Sequence, residues 1–144
     1  MSNALFGDTI TLYNRFRGTD RQDHWQRTVL HGVQVREKIE KTVSTDGKLL
    51  VTKSVSITIP VSADAGGRHY LEPHAFSCSE SRDGYWTLDA ARNLDVVVLG
   101  ECADELTEDY TLDDLSRVHG YVTIMAVTDN TPRPRLKHWR VVAG

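Results

Sequence analysis

From residue 51 to residue 61 the sequence VTKSVSITIPV sets Val51, Val55, Ile57, Ile59 and Val61 against Thr52, Ser54, Ser56, Thr58 and Pro60. Successive side chains of a strand point to opposite faces. The pattern therefore predicts an antiparallel strand with one side in a core and the other toward water. Only Lys53 interrupts the apolar set, and its stem is long enough to carry the amine out to solvent. A strand of this kind needs paired neighbours, and the chain supplies them. DTITLYN (8–14) carries Ile10 and Leu12 on one face. After the turn-like RGTDRQD, Trp25, Arg27, Val29 and His31 share one side of a strand, and beyond Gly32 the alternation continues through Val33, Val35 and Ile39. TDG at 45–47 marks a hairpin, because Asp-Gly accepts the positive φ angles such turns demand.

YWTLD (85–89), DVVVLGE (95–101), YVTIMAVT (121–128) and RLKHWRVVA (135–143) add further strands. Many short strands predict a mainly β fold, a small antiparallel barrel or sandwich. One helix stands out, in TLDDLSRVHG (111–120): Thr111 and Asp114 suggest a capping box, Leu112, Leu115 and Val118 share a side, and Gly120 suits the stop. Residues 62–85 are rich in Gly, Ser, Ala and Pro, with one short strand expected near Tyr70–Phe76. They read as an extended internal loop or arm that the barrel can lose and still fold. At 144 residues the chain is expected to form a single domain over 1–144.

Composition narrows the function classes. A net charge of −3 argues against a protein whose main work is gripping nucleic-acid backbone. The longest apolar runs are four residues, too short for a membrane-spanning helix. The two cysteines, Cys78 and Cys102, form no CxxC pair and read as free thiols of a reducing compartment. His69, His74 and Cys78 are the nearest approach to a metal motif, but their spacing fits neither a strand face nor a zinc knuckle, so no metal and no cofactor is expected. The sequence holds neither a GxSxG elbow nor a Gly-rich phosphate loop, and no enzymatic activity is expected.

Charge is distributed unevenly. Residues 101–114 hold seven carboxylates (Glu101, Asp104, Glu105, Glu108, Asp109, Asp113, Asp114) and no Lys or Arg. Residues 132–144 hold four cations (Arg133, Arg135, Lys137, Arg140) and no acid. Such runs are ordinarily solvated loops; as a pair they also suit a head-to-tail contact between copies, where complementary charge sets register and partner. Trp25 with Arg27, and Trp139 with Arg140, supply residue types enriched at protein contacts, although each Trp equally suits a core with its Arg on the rim. The candidate interface residues are Trp25, Arg27, Asp104, Glu105, Glu108, Asp109, Arg133, Arg135, Trp139 and Arg140.

The opening TLYN, the central WTL and the closing VTDN…HWRVV, in this order along nearly the whole chain, resemble a family of small structural proteins from the neck of tailed bacteriophages and prophages. That family is similar in size and strand order to head-closure (stopper) proteins. The resemblance implies a β-barrel that assembles with copies of itself into a ring in the virion, after folding in the bacterial host cytoplasm. Portal or adaptor proteins would lie on the head side and tail terminator or tail proteins below. Passing DNA would be touched only non-specifically, no membrane would be involved, and 62–85 would be the projecting loop. A tail terminator or minor tail protein is the neighbouring alternative. A single-stranded nucleic-acid-binding barrel is the alternative of another class, and it would rest on Tyr13, Phe16, Arg15, Arg17 and Arg21 as its platform.

Overall fold

A computed structural model of the chain describes residues 7–144 apart from 80, 81, 92–94, 133 and 136. Six antiparallel strands close into a barrel in the order β1 (Asp8–Arg17), β2 (Asp23–Val43), β3 (Leu49–Pro60), β8 (His138–Ala143), β7 (Val122–Asp129) and β6 (Val96–Leu99). Inside it, Ile10, Leu12, Leu30, Val33, Val55, Ile57, Ile59, Val97, Ile124, Trp139 and Val141 form the main core. The alternation at 55–59 is thus realised as predicted. Val51 and Val61, given the same parity, are instead exposed, because the barrel ends on either side of them. Lys53 is not a snorkelling core residue. It marks the point where β3 leaves the barrel, and it pairs with Glu37 at 3.7 Å.

One extra residue decides which way β2 faces. Thr9 pairs with His31 but Asp8 with Val33, leaving Gly32 unpaired at φ 82°. This is a β-bulge of the kind that uses a left-handed glycine. Before it Gln26, Thr28 and Leu30 are buried; after it Val33 is. The odd-numbered residues Trp25, Arg27, Val29 and His31 therefore lie on the outer side, while the odd residues beyond Gly32 continue the inner side.

Residues 62–85 are not a projecting arm. The described residues among them fold down over the barrel and contain β4 (His69–Tyr70) and a helix, α1 (Pro73–Cys78), where a strand was expected; a short parallel pair forms between β4 and β5 (Tyr85–Trp86). Helix α1 follows from Glu72-Pro73. The Glu72 carboxylate accepts from the Ala75 N–H at 2.8 Å, and Pro73 brings a preset φ to the first turn, where its missing N–H costs nothing. The described residues thus hold two helices, the second being α2 (Leu112–Val118), where the Asp114 carboxylate accepts from the Thr111 N–H at 3.0 Å and Gly120 (φ 74°) ends it. The 62–85 segment is fastened at several points. Asp64 and His31 exchange backbone hydrogen bonds at 2.9 Å, the Arg68 guanidinium donates to the Thr28 hydroxyl at 2.8 Å, and Gln26 donates to the Arg82 carbonyl at 2.7 Å. Tyr70 and Trp86 pack with Trp139, with ring centroids 4.4–5.3 Å apart. Removing this segment would strip part of the core, contrary to the expectation that the barrel survives without it.

A buried carboxylate holds the chain after β5 to β1. Asp95 Oδ1 accepts from the Arg15 N–H at 3.0 Å; Oδ2 accepts from Asn14 Nδ2 at 2.8 Å and from the Asp89 N–H at 3.0 Å. Burial outweighs these donors and pushes the Asp95 carboxyl up to about 7. The folded state therefore keeps a proton that the unfolded chain, with its ordinary value of 3.8, has released. Stability from this group is full below the unfolded value and falls as pH rises toward 7, with a slope approaching about 1.4 kcal/mol per pH unit. Urea unfolding is expected to give a higher midpoint at pH 5 than at pH 7.5, and D95N should flatten that difference. A profile level between pH 5 and 7 in the parent chain would contradict it.

Candidate assembly surfaces

The hairpin β2–β3 outruns the barrel. β1 accompanies β2 only as far as Val33, and β8 accompanies β3 only from Val55. Between these limits Lys38–Val43 and Leu49–Ser54 pair with each other alone. The result is a two-stranded arm of roughly 20 Å, from about 3.3 Å per residue. Its tip is the predicted turn, closed by Ser44 N–H to the Lys48 carbonyl at 2.8 Å and by Gly47 at φ 84°. Facing residues Ile39 with Lys53, Lys41 with Val51 and Val43 with Leu49 share one side. On it Ile39 is 62% exposed, Val43 71%, Leu49 61% and Val51 58%. The other side carries Lys38, Glu40, Thr42, Leu50, Thr52 and Ser54. An isolated two-stranded hairpin is marginal in water, and a row of exposed large aliphatics beside open strand edges is a surface awaiting cover. The arm of this protein is therefore 38–54 and not 62–85.

The acidic segment covers the outer side of β1. The Cys102 N–H donates to Thr11 Oγ1 at 2.8 Å, and Tyr13, Val96, Val98, Cys102, Leu106 and Leu115 form a second core between barrel and α2. Two of the seven carboxylates are engaged within the chain: Asp104 with His119 at 2.8 Å, and Asp114 with Arg117 at 3.1 Å. Glu101, Glu105, Glu108, Asp109 and Asp113 are exposed and make no ion pair among the described residues. Beside them a groove of about 540 Å³ runs between Asp23, Trp25, Leu106, Glu108, Tyr110 and Asp113. It lies by the β1–β2 turn, at the opposite end of β1 from the arm, whose base is marked by the Asp8 carboxylate accepting from the Val35 N–H at 2.9 Å.

The predicted interface residues separate accordingly. Trp25 is half-buried and lines the groove with Glu108. Glu105 and Asp109 are exposed on the same segment, whereas Asp104 is turned inward to His119 and Tyr110. Arg27 sits opposite Tyr13 on the outer side of the sheet, half-buried, and is no rim cation. Trp139 is only 7% exposed, so its reading as a docking anchor is corrected. It shares the inward parity of Val141 and belongs to the aromatic core. Arg140 and Arg135 are exposed; Arg133 lies outside the described residues. Around the barrel β8, which bears Arg140, stands three strands from β1 in either direction. The basic strand and the acidic cover thus occupy opposite walls and do not neutralise each other within one chain.

The platform named for single-stranded nucleic acid is not assembled. Tyr13 is fully buried, Phe16 lies under the Arg82 guanidinium 4.5 Å from its centroid, and Arg15 and Arg17 both face Asp23. Cys78 and Cys102 are free, exposed and buried respectively. No helix among the described residues is long and apolar enough to cross a membrane.

These features define a closed β-barrel with a protruding hairpin arm and walls of opposite charge. The chain belongs to a family of unknown function, DUF6751, whose model matches residues 5–144. No curated protein and no solved structure matches it.

Proposed function

We propose that this chain is a structural subunit that assembles with copies of itself through its arm, and that the assembly is a head-closure ring in the neck of a tailed-phage or prophage particle. The exposed aliphatic face of the arm is the observation that carries self-assembly. The occupant we assign to it is a second copy of the chain, seated by its acidic groove. The arm holds four cations (Lys38, Lys41, Lys48, Lys53) against two acids, and the groove offers Glu108 and Asp113 around Trp25 and Leu106, its Asp23 being taken by Arg15. Arm and groove lie at opposite ends of the barrel, so the contact is head to tail; such contacts close into rings when the rotation per step permits. Opposite wall charges favour the same neighbour orientation. The neck assignment is supported by the resemblance of TLYN, WTL and VTDN…HWRVV, and by a net charge of −3, which suits repelling passing phosphate rather than holding it.

Sedimentation of the purified chain should reveal discrete oligomers that loosen as salt rises. Reversing Arg135 and Arg140 to Glu is expected to weaken assembly at least about tenfold, or ~1.4 kcal/mol. Adding Glu105→Lys and Asp109→Lys should restore it. Absence of rescue would mean that these walls do not meet. A chain that remains monomeric at every concentration refutes the self-assembly reading. Purified particles from an encoding host that lack the chain by mass spectrometry refute the virion role.

A further inference from the structure

Beneath α2, two separate stretches of chain bring a thiol, a carboxylate and an imidazole to one point. Cys102 Sγ, an Asp104 carboxylate oxygen and a His119 ring nitrogen all lie within 4.8 Å of one another. They are the one such trio among the described residues; the sequence candidates contribute only a Cys78–His74 approach of 3.9 Å. We propose that Cys102, Asp104 and His119 form a binding site for a borderline divalent cation, zinc foremost, with a fourth position open to water. Thiolate, imidazole and carboxylate are the ligand types zinc takes, at about 2.0–2.3 Å each, which sets tetrahedral ligand separations of roughly 3.3–3.8 Å. Reaching these requires the 2.8 Å Asp104–His119 contact to open slightly and the thiol to close in, both within side-chain rotation.

The surroundings suit that role. Cys102 is buried at the floor while Asp104 and His119 stand at the lip, part-exposed, so a cation has an entrance. The hydrogen bonds from His119 and Tyr110 and, more weakly, the nearby Arg27 charge hold the Asp104 carboxyl below the usual range, ionised and ready as a ligand. Tyr110 donates to Asp104 Oδ2 at 3.1 Å, orienting it from behind as second partners of metal ligands do. The Tyr13 hydroxyl donates to the Asp104 backbone carbonyl at 2.5 Å and lies 3.2 Å from Cys102 Sγ, holding these two ligand residues together. An Asp–His pair alone would explain how the acidic segment is latched down. It does not explain a thiol aimed at the same point from below.

Cobalt(II) is the probe, added to the full chain in a C78S background so that Cys102 is the sole thiol. The expected result is a thiolate-to-cobalt charge-transfer band saturating at one equivalent, displaced by zinc. C102S should abolish the band, and H119Q should weaken binding about 100-fold or more, at least the loss expected for altering a partner of a ligand. Zinc should also raise the Tm of the C78S chain and leave that of the C78S/C102S chain unchanged. No band at neutral pH, or a band indifferent to H119Q and D104N, overturns the site. An equal rise in Tm with and without Cys102 does so too.

Discussion

Replacing residues 38–54 by a two-residue Asn-Gly turn is expected to leave a folded barrel that no longer assembles. Glu37 and Val55 face each other across the hairpin, so the shortened turn joins residues already paired. The excised residues are exposed apart from the half-buried Ser44 and Ser54, and the barrel loses none of its buried side chains. Its thermal midpoint should therefore barely move. Assembly is another matter. Covering Ile39, Val43, Leu49 and Val51, each already partly shielded, contributes about 1 kcal/mol apiece, or roughly 4 kcal/mol together. Without them the dissociation constant should rise about a thousandfold. Sedimentation velocity beside circular dichroism reads both quantities. An armless chain that assembles as before would remove the basis of the proposed function, whereas one that unfolds would show the arm to be part of the core.

The two His-Trp segments should respond in opposite ways. Trp139→Ala empties a site shared with Tyr70 and Trp86 and is expected to cost about 3–5 kcal/mol of stability. That is a large share of the roughly 5–15 kcal/mol that holds a domain of ordinary size together. Trp25→Ala opens a wall of the groove and should cost about 1 kcal/mol, as half-burial implies. Its larger effect should be on self-association. Urea unfolding and sedimentation of the two variants separate the roles. Equal destabilisation would mean that Trp25 is core as well, and unaffected association in Trp25→Ala would take the groove out of the interface.

What the sequence made legible follows from the range of the forces involved. Period-two alternation identified 55–59 and 139–141, because a barrel wall imposes that period on every strand. The Asp46-Gly47 turn and the Thr111–Asp114 cap are local chemistry and could be read directly. Helix α1 was also written locally, in Glu72-Pro73, but Gly and Ser around it suggested a loop. The arm was hidden because alternation continues past the barrel's end; only Lys53 marks where the inner face stops being covered. Trp139 was ambiguous from its neighbours, since parity says which residues share a side and not which side is inward. The Cys102–Asp104–His119 trio was beyond local reading altogether. Its members meet only because the chain runs along β1, turns through α2 and returns, bringing His119 back over Asp104.

Gly32 has a consequence for the geometry of any assembly. Because this one surplus residue inverts the parity of β2, the aliphatic stripe of the arm prolongs the inner lining instead of the solvent side. Shortening the strand by that single glycine would roll the stripe through half a turn and aim it away from the barrel axis. Successive subunits would then be offered the reverse flank, and the sense in which a chain of them curves, closed or open, would change with it.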